Sequence, residues 1–160
     1  MKIADPWKQI ITEQFLKTTI RTPSRFSLPP SSQRFLLEQM CRAFPLNKSI
    51  QIRPLRLAGL RAEELKPETE ATQLILHIHG GAFFLGSMNT HRAFVSDLAA
   101  STQMQVIHLD YPLSPEHPYP EAIDALFDVY LLLLEQGIQA KDIILSCLLY
   151  TSPSPRDKRQ

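Results

Sequence analysis

Apolar positions recur at helical spacing over residues 5–20, where Trp7, Ile10, Ile11, Phe15, Leu16 and Ile20 share one stripe. Pro23, Pro29 and Pro30 end that run. A second amphipathic helix is expected from "SSQRFLLEQMCRAF", opened by a serine cap and closed at Pro45. Residues 50–66 suggest two short strands about a turn at Gly59, and "PETEAT" (67–72) reads as a polar loop. The pattern then changes. "QLILHIHGG" is a continuous apolar run stopped by two glycines, which suits a strand buried on both faces. "NTHRAFVSDLAAST" has helical periodicity behind an Asn or Thr cap. "MQVIHLDYP" is a second buried strand. "EHPYPEAIDALFDVYLLLLEQG" is a helix with a proline-rich start and Gly137 just past its end, and "DIILS" is a third buried strand. Strand, helix, strand, helix, strand predicts a parallel α/β sheet.

Composition narrows the function classes only modestly. With 160 residues, 44% apolar and 21% charged, the chain suits one globular domain. The net charge of +1 gives no field that argues for nucleic acid or an anionic membrane. That charge is uneven: Arg156, Lys158 and Arg159 against Asp157 leave +2 in residues 147–160 and −1 in the rest. Cys41 and Cys147, far apart, form no disulfide framework and suit a reduced, cytoplasmic chain in which Cys41 packs as a small hydrophobe. The first residues lack an unbroken apolar core, so no signal peptide is expected, and no apolar run is long enough for an integral membrane segment.

Chemistry enters at the end of the first buried strand, where His79-Gly80-Gly81-Ala82-Phe83 is followed by Gly86-Ser87. Glycines there let the backbone turn sharply and approach a ligand. Backbone N–H groups left unpaired in such a turn can bind a developing negative charge, an oxyanion hole. Phosphate is the rival ligand for a glycine-rich turn. Neither GxGxxG nor GxxxxGK[ST] occurs, which argues against a nucleotide, and no cofactor or metal is implied. Five letters alone fit a plain strand-to-loop turn equally well. "LDYPLSPEHPYPEA" (109–122) taken alone is a proline-stiffened loop leading into a helix.

Together, in this order, the two motifs resemble the hormone-sensitive-lipase-like branch of the α/β-hydrolases, esterases with an HGGG-type motif. The resemblance covers about residues 50–146. The family pattern runs near "lHGGGf-lGS", "hR----LA" and "lDYRLAPEHPFPAA"; here it reads "LHIHGGAFFLGSMNTHRAFVSDLAAST" and "LDYPLSPEHPYPEAIDA". Ala82 stands at the third glycine, Pro112 at the usual arginine and Ser114 at the usual alanine. The resemblance implies an α/β-hydrolase fold: the N-terminal half of the mostly parallel sheet (49–146) behind N-terminal cap helices (1–48). It implies Gly81 and Ala82 as backbone N–H donors of the oxyanion hole, with His79 and Gly80 shaping the turn. His79 is read as structural rather than as a proton carrier.

The family's triad is Ser, then acid, then His, with the serine on a G-x-S-x-G elbow after the next strand. That places Gly-Asp-Ser at 147–149, where Cys147, Leu148 and Leu149 stand. No G-x-S-x-G occurs in the chain, so nucleophile, acid and base are expected to be absent. His77, His91, His108 and His117 lie upstream of the elbow and read as structural. Asp110 and Glu116 precede the acid's place, and Cys147 lacks the glycine-flanked turn that exposes a nucleophile. "CLLYTSPSPRD" is similar to one translated frame of a transposase-type sequencing adapter, so residues 147–160 are expected to be a non-native tail; a natural Ser/Pro-rich disordered tail is the rival.

The expected function is a carboxylic-ester hydrolase acting on short or medium acyl esters, with serine chemistry belonging to an intact parent. Phe15, Leu16, Phe35 and Leu36 suit an acyl pocket as well as they suit ordinary helix packing. The alternative is a catalytically inactive fragment or a binding module on the same fold.

Overall fold

The computed structural model describes residues 28–69 and 73–147. The helix expected over 5–20 and residues 148–160 of the expected tail lie outside the described residues. In order, the elements are helix α1 (Pro30–Cys41), strands β1 (Gln51–Leu57), β2 (Leu60–Lys66) and β3 (Leu74–Ile78), helix α2 (Met88–Thr102), strand β4 (Gln105–Asp110), helix α3 (Glu121–Glu135), a 3-10 turn at Ala140–Asp142, and strand β5 (Ile143–Cys147).

The five strands form one sheet in the order β1-β2-β4-β3-β5. β2 runs antiparallel to both β1 and β4, and β3 is parallel to both β4 and β5. The chain therefore leaves β3 for β4 on one side and returns across it to β5 on the other. Such a reversal opens a crevice at the carboxyl ends of the strands, where ligands bind in open α/β sheets.

Each crossover helix covers one face. α3 sets Ala122, Leu126, Val129 and Leu133 against Leu74, Leu76, Ile107 and Leu109. α2 sets Val95 and Ala99 against Ile75, Leu65 and Val106. β3 and β4 alternate between these faces, which is why both read as unbroken apolar runs. β5 differs from that expectation. Among the described residues it pairs with β3 alone, and as an edge it leaves Ile144 at 39% and Leu145 at 64% exposure.

The helix starts also depart from the sequence reading. α1 begins at Pro30 behind Pro29, with no side-chain cap, since the fixed φ of proline pre-forms the first turn. α2 is capped by Ser87 rather than by Asn89 or Thr90. The Ser87 side chain accepts from the Thr90 N–H, and the Thr90 hydroxyl faces the Ser87 N–H at 2.9 Å, a reciprocal capping box. Cys147, read as the first residue of the tail, completes β5 opposite Ile78.

Candidate active site

β3 ends at Ile78, and the chain turns at once. Gly81, Ala82 and Phe83 all hold positive φ, at 125°, 54° and 58°. Left-handed conformation costs a non-glycine residue roughly 1–2 kcal/mol, so Ala82 and Phe83 are held there by their surroundings. The loop closes with Phe84 N–H and Leu85 N–H both donating to the Gly81 carbonyl, at 3.0 and 2.8 Å. A side chain at 81 is sterically impossible without rebuilding, because a Cβ would sit 1.9 Å from the Leu85 carbonyl oxygen.

This geometry frees the donors that matter. Among the described residues, the N–H groups of Gly81, Ala82 and Phe83 donate to no backbone or side-chain acceptor. Ala82 is exposed and Gly81 half-buried, at the carboxyl end of β3 beside β5. Successive unpaired N–H groups in a turn of this kind make an anion-binding concavity.

His79 supports the turn from beneath. Its Nδ1–H donates to the Gly80 carbonyl at 2.9 Å, and its ring stacks on Tyr111 with centroids 4.2 Å apart. The Tyr111 hydroxyl donates to the His79 carbonyl at 2.7 Å. A Cβ on Gly86 would lie 2.9 Å from His79 Nδ1 and 2.4 Å from the Gly80 carbonyl oxygen, so both ends of the loop press on this imidazole. Burial pushes His79 down to about 4, against the upward pull of its bond to Gly80. It is a neutral, enclosed ring.

Below it, on the α2 face, lie His77 and His108, paired across β3 and β4 and wholly buried. Their rings meet edge to face at 5.2 Å, and His91 from α2 stacks on His79 at 5.5 Å. Burial, with the neighbouring imidazoles, pushes His77 to about 4 and lowers His108 further. His77 Nδ1 lies 3.1 Å from Ser146 Oγ. The histidine of this pair is enclosed, with no measurable exposure and no partner for its Nε2 among the described residues, while Ser146 is half-buried. Ser146 sits within a strand rather than on an exposed elbow. His117 is elsewhere, on Glu121 at 2.8 Å at the surface. No group of three or more His, Cys, Asp or Glu among the described residues has the arrangement of a metal site.

Three participants are not singled out by the sequence: Tyr111, which lies inside the second motif and sits under the turn, Ser146 on His77, and Arg34. Arg34 reaches from α1 to the Phe84 carbonyl at 2.9 Å, to the Ser114 carbonyl, and to Glu116 at 2.9 Å. One turn on, Glu38 accepts from the Ser87 hydroxyl at 2.7 Å. Phe35 and Leu36, read as candidates for an acyl pocket, are largely exposed on α1. The other two candidates, Phe15 and Leu16, lie outside the described residues.

Residues 75–146 match the family model described as alpha/beta hydrolase fold. Over these residues the chain has the α/β-hydrolase fold. Among curated proteins it is similar to a protein named "Esterase" from Acinetobacter venetianus, 66% identical over 146 residues, which are 91% of this chain and 48% of that protein. It is also similar to a "Putative acetyl-hydrolase LipR" of Mycobacterium tuberculosis, 28% identical over 72% of this chain and 38% of that one. Among solved structures, an esterase from the bacterial hormone-sensitive lipase family superposes with a TM-score of 0.73 at 32% identity, over 84% of this chain and 46% of that one. An esterase/lipase from an uncultured bacterium gives 0.70 at 34%, over 76% and 41%. The resemblance to the hormone-sensitive-lipase-like branch of this α/β-hydrolase family therefore holds. The chain spans about half the length of these relatives.

Proposed function

We propose that the whole protein is a carboxylic-ester hydrolase acting on small acyl esters, and that this chain supplies the oxyanion side of its site. The observation that carries the reading is the row of N–H groups at Gly81 and Ala82, unpaired among the described residues and set at the sheet's switch point. An ester carbonyl placed there would gain two donors as its oxygen takes negative charge. Loss of one such donor typically slows acyl transfer by about 100- to 1,000-fold. His79 and Gly80 hold the turn and move no proton. The esterase names of the relatives support the same chemistry.

The 160 residues contain no G-x-S-x-G, and the Ser146–His77 pair lies within the sheet, its histidine wholly buried, rather than on an exposed elbow. The chain by itself is therefore expected to hydrolyse no ester. We assign residues 1–48 to a cap, 49–146 to the hydrolase domain and 147–160 to a non-native tail, with a cytoplasmic location and no nucleic-acid partner. Among the described residues, no helix is long and apolar enough to cross a membrane. Two measurements test the reading. Reading the source gene through codon 146 should give a Gly-Asp-Ser-Ala-Gly continuation. Assay of the 160-residue chain on p-nitrophenyl acetate should show only background, and turnover abolished by substituting Cys147 would overturn the assignment.

A further inference from the structure

The Gly81–Gly86 loop and the 111–120 loop contain no lysine or arginine of their own. They meet through one backbone bond, from the Ser114 N–H to the Phe83 carbonyl at 2.8 Å. The carbonyls next to that bond, those of Phe84 and Ser114, both accept from the guanidinium of Arg34, fifty and eighty residues away in the chain. The same guanidinium pairs with Glu116 and lies 5.8 Å from the Phe84 ring centre. Its side chain is 21% exposed, so these bonds form largely out of water. Glu38, on the same face of α1, holds Ser87 at the other end of the loop.

We infer that Arg34 is a positioning residue for the oxyanion loop: its fork locks the Phe84 and Ser114 carbonyls together and thereby keeps Gly81 and Ala82 in the left-handed turn that frees their N–H groups. The inference rests on the oxyanion reading given above for those two N–H groups. A guanidinium is suited to this place, because its rigid fork of donors serves two carbonyls and a carboxylate at once, whereas an ammonium is a single compact charge. The loop's strain supplies the need. Ala82 and Phe83 would relax from positive φ if the carbonyl of the next residue were released.

The test compares the full chain with Arg34→Gln, Arg34→Lys and Glu116→Gln by amide hydrogen exchange and by amide-shift titration with butyrate, a carboxylate probe of the anion site. Arg34→Gln should speed exchange at Phe84, Leu85 and Ser114 by about tenfold or more, the loss expected for hydrogen bonds to a charged donor. Leu76 and Ile107, in the core, should exchange as before. The butyrate response at Gly81 and Ala82 should weaken in the same variant, and Arg34→Lys should fail to restore it. Unchanged loop exchange in Arg34→Gln would overturn the inference. If that variant loosens the core as well, Glu116→Gln and Arg34→Lys decide, and wild-type loop exchange in both overturns it. Faster loop exchange with no butyrate response in the unsubstituted chain would leave the clamp standing and overturn the oxyanion reading instead.

Discussion

The Tyr111 ring lies 17° from parallel with the His79 imidazole, and the same tyrosine's hydroxyl donates to the His79 carbonyl. One residue from the second motif thus grips both the side chain and the backbone of the residue that begins the first. Burial raises the Tyr111 hydroxyl above the ordinary phenol range, so it remains a donor at any working pH. Tyr111→Phe keeps the stacking and removes one buried hydrogen bond. It should lower stability by about 1 kcal/mol and speed amide exchange at residues 80–82. Urea unfolding with exchange mass spectrometry checks both, and an unchanged midpoint would show that the bond contributes nothing.

The glycines of the loop should not be equivalent. A Cβ at Gly81 or Gly86 meets backbone oxygen at 1.9 or 2.4 Å, whereas one at Gly59 meets nothing within 4 Å. Gly81→Ala and Gly86→Ala should each destabilise by about 2 kcal/mol or more, and Gly59→Ala by about 1 kcal/mol from its positive φ alone. Ala82→Gly goes the other way: relief of left-handed strain of about 1 kcal/mol is partly offset by the greater freedom of the unfolded chain. Thermal unfolding of the four variants checks this order.

What was legible in the sequence follows from range. β3, β4, α2 and α3 stood out because their apolar periods were long, and the turn at Gly80-Gly81 because glycines after a buried strand have few other uses. The bond partners of that turn were not legible. Arg34 lies fifty residues from Phe84, and nothing local marks it as different from Arg42, which among the described residues reaches its own helix neighbour Gln39. Asn89 and Thr90 can each cap α2, and only the chain's exit from the Gly86 turn chooses Ser87. β5 reads as buried on both faces because its composition is apolar, while the missing elbow and later strands predict the unpaired far edge that it shows among the described residues.

The buried histidines make stability depend on acid. Burial lowers His77 and His79 to about 4, from an ordinary value near 6.5, and lowers His108 further, while His91 falls in the same direction. A group whose folded value is depressed binds more protons when unfolded, so its stabilising contribution is complete above about pH 6.5 and is lost as pH falls toward 4. Each histidine contributes a slope of about 1.4 kcal/mol per pH unit inside that window. Asp110, raised mainly by burial, opposes this, and Glu116, lowered chiefly by its bond to Arg34, reinforces it. The urea midpoint should fall steeply between pH 6.5 and 5, and His108→Leu should flatten the fall. A midpoint independent of pH over that range would contradict the burial of these rings.

The free edge of β5 should govern solution behaviour. Among the described residues that strand pairs with β3 alone, and Leu145, at 64% exposure, projects from it on the α3 face. On that helix Ile123, Phe127 and Leu131 form a further exposed stripe at intervals of four. An apolar edge with unpaired N–H and C=O groups is a template for strands of other copies. The 160-residue chain should therefore associate as its concentration rises. Leu145→Lys puts a charge on the edge at a position already 64% exposed, and should shift the chain toward monomer with little change in its unfolding midpoint. Light scattering after size-exclusion chromatography reads the outcome. Equal association by both proteins would place the sticky surface on α3, where Phe127→Lys is the variant to compare.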